Sequence, residues 1–299
     1  MLSACNRLQV RFHLLTMSLA SHVKARGELY PGTSISRQPV SDDKVAWSVP
    51  FPEYCPPSYT SPVVLRMPAW ADPDYSTFAN WNGAPPKYNQ LDHSVDRRSH
   101  TGEYMVIENL PRNPCGRTGL LGRGLLGKWG PNHAADSIVT RWKWINGEVA
   151  KKDGKPVMQF IAIQRRDCGE WALPGGMVDP GEQITATVKR EFCEEAMNSL
   201  SLTEDERHKL YELISTIFQQ GEMIFKGYVD DPRNTDNAWM ETVAFNFHDE
   251  TNDSIGCLPL HAGDDARNVA WLDVDKEQAL YASHNTLLQK VAHLRRAHW

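Results

Sequence analysis

Residues 176–195 read GMVDPGEQITATVKREFCEE and predict a tight turn that leads into an amphipathic helix. Pro180 and Gly181 are turn-forming residues. Glu182 follows them near the predicted helix start, where a carboxylate interacts favourably with the helix dipole. The turn and the helix together contain most of the acidic residues that are candidates for catalysis or metal binding.

The predicted helix carries three glutamates on one face: Glu191, Glu194 and Glu195. Their i, i+3, i+4 spacing keeps them within roughly 100° of arc. An apolar stripe beside them can dock the helix on a sheet, and it consists of Ile184, Val188 and Phe192. Without a partner, charges near the helix C-terminus cost roughly 0.3–1 kcal/mol each. A solvated acidic face is the alternative, but a divalent cation removes the conflict.

Mg²⁺ takes oxygen ligands and is typically held by one or two carboxylates together with substrate phosphates. Such an ion neutralises the oxygens of a bridged diphosphate and activates or orients a water. Arg190 can orient a glutamate by a bidentate contact. The predicted catalytic residues are Glu182, Arg190, Glu191, Glu194 and Glu195.

Composition sets broad limits on function. The chain has 299 residues and a net charge of -5, which argues against broad nucleic-acid binding. Its six cysteines show no zinc-site spacing, and no apolar run is long enough to span a membrane. Residues 1–27 contain arginine and lysine but no acidic residue, which resembles a mitochondrial transit segment. A disordered tail is the alternative, and Met17 offers a second start that gives a cytosolic form.

Two regions follow the leader. Residues 28–134 are rich in proline and aromatic residues and predict a loop-rich accessory domain with short strands. Within it, the glycine-dense segment 116–133 lacks a phosphate loop and is interpreted as a linker with turns. Residues 135–299 mix strands and helices and predict an α+β sandwich. The predicted helices cover 183–197, 204–218 and 276–296, and the predicted strands lie near 158–166, 171–176, 223–229, 241–247 and 269–272.

The order G-x₅-E-x₇-R-E-U-x-E-E between Gly176 and Glu195, where U is a bulky apolar residue, resembles the Nudix box. The full box continues with x-G-U, whereas this chain has Met197 and Asn198 at the last two positions. These two departures lie beyond the glutamates. They leave the conformation at the end of the helix undetermined, but the acidic residues of the box are all present. The resemblance implies the Nudix α/β/α sandwich and hydrolysis of a nucleoside diphosphate linked to another group. It also implies a metal held by Gly176, Glu191, Glu194 and Glu195.

Segments outside the box extend the resemblance from about residue 28 to the end. They are similar to the mitochondrial ADP-ribose pyrophosphatase family and to the related domain of ADP-ribose-gated melastatin channels. The segments are 116–119, 129–135, 171–182, 227–239 and 280–284. The resemblance implies that a monomer converts ADP-ribose and water to AMP and ribose 5-phosphate with Mg²⁺, or Mn²⁺ as an alternative.

Further candidate residues lie outside the box. The resemblance favours Asp231 for ribose hydroxyls and Arg233 for a phosphate or ribose, although the local sequence alone predicts a plain turn. It places Tyr281 against adenine and His284 near a phosphate, against the alternative of a half-buried aromatic with a surface histidine. The catalytic base stays open between Asp264, Asp265 and a glutamate of the box.

Two rival functions remain at this stage. A sensor domain could hold ADP-ribose without cleaving it, but the paired acids Glu194 and Glu195 are both present. An enzyme with the same box could instead act on NADH or a diadenosine polyphosphate. The box does not distinguish these substrates.

Overall fold

Strands dominate the secondary structure of the chain. The computed structural model describes residues 22–75, 85–254, 256, 258, 260–263 and 266–299. The strands are β1 (Ser58–Thr60), β2 (Leu91–Asp92), β3 (Val95–Asp96), β4 (Val106–Ile107), β5 (Leu110–Pro111), β6 (Leu121–Gly124), β7 (Gly130–Trp142), β8 (Trp144–Ile145), β9 (Glu148–Val149), β10 (Lys151–Lys152), β11 (Lys155–Pro156), β12 (Met158–Arg165), β13 (Trp171–Ala172), β14 (Gly175–Met177), β15 (Glu222–Tyr228), β16 (Ala238–Asp249) and β17 (Ala266–Asp273). The α-helices are α1 (Pro62–Leu65), α2 (Ile184–Met197), α3 (Glu204–Ile217) and α4 (His284–Leu294). No helix in these ranges is both long and apolar enough to cross a membrane.

A mixed sheet forms the centre of the described structure. Its order is β13-β12-β7-β16-β15, with β14 added beside β7 and β17 beside β12. The long strands β7 and β16 run parallel, from the pair Gly130 and Ala238 to the pair Arg141 and Asp249. The other neighbours are antiparallel. Both central strands are buried along most of their length because both faces of the sheet are covered.

Helices cover the two faces. Val139 packs with Phe192 of α2 and Ile214 of α3 on one side. The adjacent Ile138 points to the other side, where it packs with Leu288 of α4, since side chains alternate along a strand. Each buried side chain of this size contributes about 1.5–3 kcal/mol. The predicted α/β/α sandwich is therefore confirmed.

The exit of α2 explains how the chain tolerates Met197 and Asn198. Met197 is buried and forms an isolated parallel β-bridge with His261. Asn198 ends the helix in the left-handed conformation, with φ 50° and ψ 42°, which asparagine adopts more readily than most residues. The N–H of Gly263 bonds the carbonyl of Glu195 at 3.0 Å. Segment 261–263 thus covers the last turn of the acidic helix.

The predicted helix over 276–296 is wrong for residues 276–283, because α4 begins at His284. The N–H of Tyr281 bonds the carbonyl of Trp171 at 2.8 Å, and Ala282 has a left-handed φ of 46°. A tertiary contact with β13 therefore replaces the local helical preference. The predicted strand near 171–176 is observed as two short strands, β13 and β14, and the other predicted elements are observed with end shifts of a few residues.

The region before β7 is rich in loops and short strands, as predicted. Polar contacts hold much of it together, including a buried ion pair between Arg97 and Asp72 at 2.7 Å. The glycine-dense segment is more than a linker, because it contains β6 and the start of β7. Gly119 has φ 82°, and a Cβ there would lie 2.1 Å from the carbonyl of Gln38. The division at residue 134 is a prediction, and β7 passes through that position.

Candidate active site

The glutamate face of α2 lies against the strand pair β7 and β14. Glu195 is 7% exposed, and its Oε2 accepts the N–H of Gly175 at 2.9 Å. Glu191 and Glu194 are half-buried beside it. The apolar stripe of α2 anchors this arrangement, because Val188 and Phe192 are fully packed beneath the sheet. The predicted shared face is therefore observed.

Arg190 connects the acidic residues. Its Nε donates to Oε1 of Glu182 and its Nη2 to Oε2, both at 3.0 Å. Its Nη1 donates to Glu191 at 2.8 Å and to Glu194 at 3.2 Å. A planar guanidinium with several donors suits this role, and a lysine offers no equivalent fork. Thr187 also donates to Glu182, at 2.8 Å.

Gly176 and Glu191 are in close contact. A Cβ at position 176 would lie 2.3 Å from the Glu191 carboxyl carbon, so any side chain there would displace this carboxylate from its place. The pKa of Glu191 is raised to about 7, mainly by burial and in part by the charges of Glu194 and Glu182, against the opposing effect of Arg190. Carboxylates on one helix face offer the oxygen ligands that a hard divalent cation prefers. The residues present therefore fit such an ion.

A second group lies around Tyr281. Nε and Nη2 of Arg233 donate to the two oxygens of the Asp231 carboxylate, at 2.9 and 2.7 Å. Asp231 is 2% exposed, so its oxygens are largely used in holding Arg233. The guanidinium of Arg165 stacks over the Tyr281 ring at 4.5 Å, and that of Arg233 lies at 6.0 Å. Two cationic groups and an aromatic ring thus meet in one place.

His284 lies beneath this second group rather than on the surface. Its Nδ1 accepts the N–H of Leu173 at 2.9 Å, which leaves the proton of a neutral ring on Nε2. Nε2 faces Oδ1 of Asp136 at 3.9 Å. Burial lowers the pKa of His284, although Asp136 opposes the shift. The imidazole is therefore neutral near pH 7.

Gly175 links the glutamate face to Asp136 and His284, which lie beneath the second group. Its N–H bonds Glu195, and a Cβ added to it would lie 2.5 Å from Oδ1 of Asp136, the carboxylate that faces His284. A cleft of about 620 Å³ opens beside Tyr281 and is lined by Trp171, Pro232 and Lys24, among others. Lys24 also bonds the backbone carbonyl of Ala282.

Sequence reasoning missed four residues of this region: Lys24, Asp136, Arg165 and Trp171. The adjacent arginines at the end of a predicted strand, Arg165 and Arg166, were an available signal for an anionic ligand. Lys24 falls in the predicted leader, yet its N–H and that of Ala25 both bond the Asp230 carboxylate at 2.9 Å. The candidate bases Asp264 and Asp265 lie outside the described residues, as do Met17 and residues 1–21 of the leader.

Two family models match the chain. One is described as NUDT9-like, N-terminal domain, and covers residues 40–130. The other is the NUDIX domain, over residues 149–291. ADP-ribose pyrophosphatase, mitochondrial, of Rattus norvegicus is 52% identical over 285 residues, which are 93% of this chain and 80% of that protein. The chain belongs to this Nudix family.

A second relative is a much longer protein. Transient receptor potential cation channel subfamily M member-like 2 of Nematostella vectensis is 53% identical over 92% of this chain. This chain spans only 18% of the length of that channel protein. Among solved structures, the NUDIX domain of Shewanella oneidensis NrtR complexed with ADP ribose matches with 15% identity and a TM-score of 0.37, over 55% of this chain and 88% of that one.

Proposed function

We propose that this Nudix protein hydrolyses ADP-ribose to AMP and ribose 5-phosphate and requires Mg²⁺. The observation that carries the proposal is the link from the packed glutamate face through Gly175 and Asp136 to His284, whose ring lies 6.0 Å from that of Tyr281. The family relationship to a protein named for this reaction supports the choice of substrate.

The acidic group would hold the metal through Gly176, Glu191, Glu194 and Glu195. A divalent ion bound there supplies charge neutralisation of the diphosphate and a water of lowered pKa. Arg190 fixes the carboxylates through its bonds to Glu182, Glu191 and Glu194.

The second group would hold the nucleotide. The arginines Arg165 and Arg233 bind anionic or ribose oxygens, and Tyr281 stacks on adenine. Asp231 acts on the substrate by holding Arg233, and His284 keeps its place as a candidate near a phosphate. The general base is Asp264, Asp265 or a glutamate of the box.

The test is a substrate panel. The protein is incubated with Mg²⁺ and with ADP-ribose, NADH, a diadenosine polyphosphate or ATP, and AMP release is followed by chromatography. We expect the highest kcat/KM for ADP-ribose, and Mn²⁺ is tested in place of Mg²⁺ as the alternative cofactor. Faster cleavage of NADH or ATP would overturn the choice of substrate.

A second candidate is an ADP-ribose-binding sensor, which the identity to a channel protein favours. Binding of ADP-ribose with no AMP released in Mg²⁺ or Mn²⁺ would select the sensor. Against it, the chain retains a complete set of glutamates around Arg190.

We also propose that the protein is a monomer and that residues before His22 direct it to mitochondria. His22 bonds Tyr228, and Lys24 and Ala25 bond Asp230, so residues 22–27 of the predicted leader are assigned to the folded region. A fusion of residues 1–21 to a fluorescent protein tests the targeting, and light scattering of the purified protein tests the mass. We expect neither nucleic acid nor membrane as a partner.

A further inference from the structure

A compact group of potential metal ligands lies outside the glutamate site. It consists of His100, His133 and Glu241, each of which offers one ligand atom, and these atoms lie within 4.8 Å of one another. His133 and Glu241 are register partners on the parallel strands β7 and β16. His100 comes from the loop between β3 and β4. The group therefore joins the accessory region to the centre of the sheet.

The two imidazoles have free nitrogens that are shielded from water. Nε2 of His100 and Nε2 of His133 are both buried without a hydrogen-bond partner. The rings stack at 4.5 Å between centroids, with an interplanar angle of 17°. The His133 side chain is 9% exposed, and its Nε2 lies 3.9 Å from Oε2 of Glu241. A buried polar atom without a partner is costly, and a bound ion is one way to satisfy it.

The carboxylate is held in place by neighbouring donors. Oε1 of Glu241 accepts the hydroxyl of Ser99 at 2.6 Å and the indole N–H of Trp239 at 2.8 Å. Oε2 accepts the backbone N–H of His100 at 2.6 Å. Such outer contacts orient the ligands of metal sites. Glu241 itself is fully buried, and a buried carboxylate is normally paired with a cation.

We propose that His100, His133 and Glu241 form a second metal site, which binds a divalent transition-metal ion such as Zn²⁺. Two imidazoles and one carboxylate are a ligand set that Zn²⁺ accepts, with water in the fourth position. This set differs in kind from the all-oxygen group around Arg190, which suits Mg²⁺. The ion ties the His100 loop to β7 and β16 and stabilises the contact between the two regions.

The test uses Zn²⁺ as the probe on the full chain. The protein is stripped with a chelator and returned to excess Mg²⁺, which fills the glutamate site, and Zn²⁺ is titrated by calorimetry. We expect one tightly bound Zn²⁺ per chain and a rise in Tm. Removal of a ligand in His100→Gln is expected to weaken this binding at least as much as loss of an outer-shell partner, which is about 10–100-fold.

His208→Gln is the matched control, because His208 is an exposed histidine on α3 and is expected to leave the titration unchanged. His100 is chosen before His133 because it is only half-buried, and His133→Gln serves as a second variant. ADP-ribose hydrolysis in Mg²⁺ is expected to stay near the wild-type rate in His100→Gln. Absence of Zn²⁺ binding in the wild type, or equal binding in His100→Gln, would overturn the second site.

Discussion

Arg190 and Glu182 form a two-pronged ion pair across the turn that begins the acidic helix, with both N–O distances at 3.0 Å. The same guanidinium reaches Glu191 and Glu194 through its remaining nitrogen. One arginine thus sets the positions of three carboxylates. The order of residues in the Nudix box follows from this contact, because Arg190 must lie one helical turn before Glu194 and within reach of Glu182.

Arg190→Lys is expected to lower kcat about 10–100-fold, because a lysine keeps the charge but loses the fork that holds Glu182. The effect on Tm is expected to be small, since a lysine keeps the positive charge among the carboxylates. Steady-state kinetics with ADP-ribose checks this. In a double-mutant cycle with Glu182→Gln, strictly additive losses would contradict the coupling of the two residues.

Gly176→Ala is expected to disrupt the metal site, because the added Cβ would lie 2.3 Å from the Glu191 carboxyl carbon. Calorimetry is expected to show a large loss of Mg²⁺ affinity, with activity reduced at least about tenfold. Gly27→Ala is the control, because its Cβ meets only the Lys24 carbonyl at an ordinary 3.6 Å. Unchanged Mg²⁺ affinity in Gly176→Ala would argue against this site.

The affinity for Mg²⁺ is expected to fall as the pH is lowered below 7. The pKa of Glu191 is raised from 4.5 to about 7, mainly by burial, so the folded, metal-free protein holds this proton up to near pH 7. Mg²⁺ has to displace the proton, so the affinity drops about tenfold per pH unit below 7 and levels off above it. Titrations between pH 5.5 and 8.5 test this. A profile that is flat from pH 8 to pH 6 would contradict a proton on Glu191 that Mg²⁺ has to displace.

Arg165→Ala is expected to raise KM for ADP-ribose about 10–100-fold, which corresponds to the loss of a charge-assisted hydrogen bond of about 1.5–3 kcal/mol. It removes the cation that stacks on Tyr281 at 4.5 Å. Metal affinity is expected to be unchanged. Arg66→Ala is the control, since Arg66 is exposed at the end of α1. A KM equal to that of the wild type would remove Arg165 from the substrate site.

The residues whose arrangement is local were the ones predictable from the sequence. The turn, the helix and the shared face of Glu191, Glu194 and Glu195 depend only on turn residues and helical periodicity. The fork between Arg190 and Glu182 also lies within one contiguous segment, so its spacing could be read directly. The ion pair of Asp231 and Arg233 is also local, but the sequence analysis assigned both side chains to the substrate and did not predict it.

Residues brought together by the sheet were not predictable in this way. Asp136, Arg165 and Trp171 lie on three strands, β7, β12 and β13, and only the register places them near one site. The start of α4 was missed for a related reason, because the bond from Tyr281 to Trp171 is a tertiary contact that overrides helix propensity. The burial of His284 against Asp136 likewise depends on packing between distant segments.

The most direct test of the central claim is the rate of AMP release from ADP-ribose by Glu195→Gln. The amide oxygen of glutamine can still accept the N–H of Gly175, so the fold is expected to be kept, with near-wild-type Tm and circular dichroism. The negative charge needed for the metal is lost. We predict that AMP release in saturating Mg²⁺ falls to the background rate, whereas turnover at the wild-type rate would contradict metal-dependent hydrolysis at this helix.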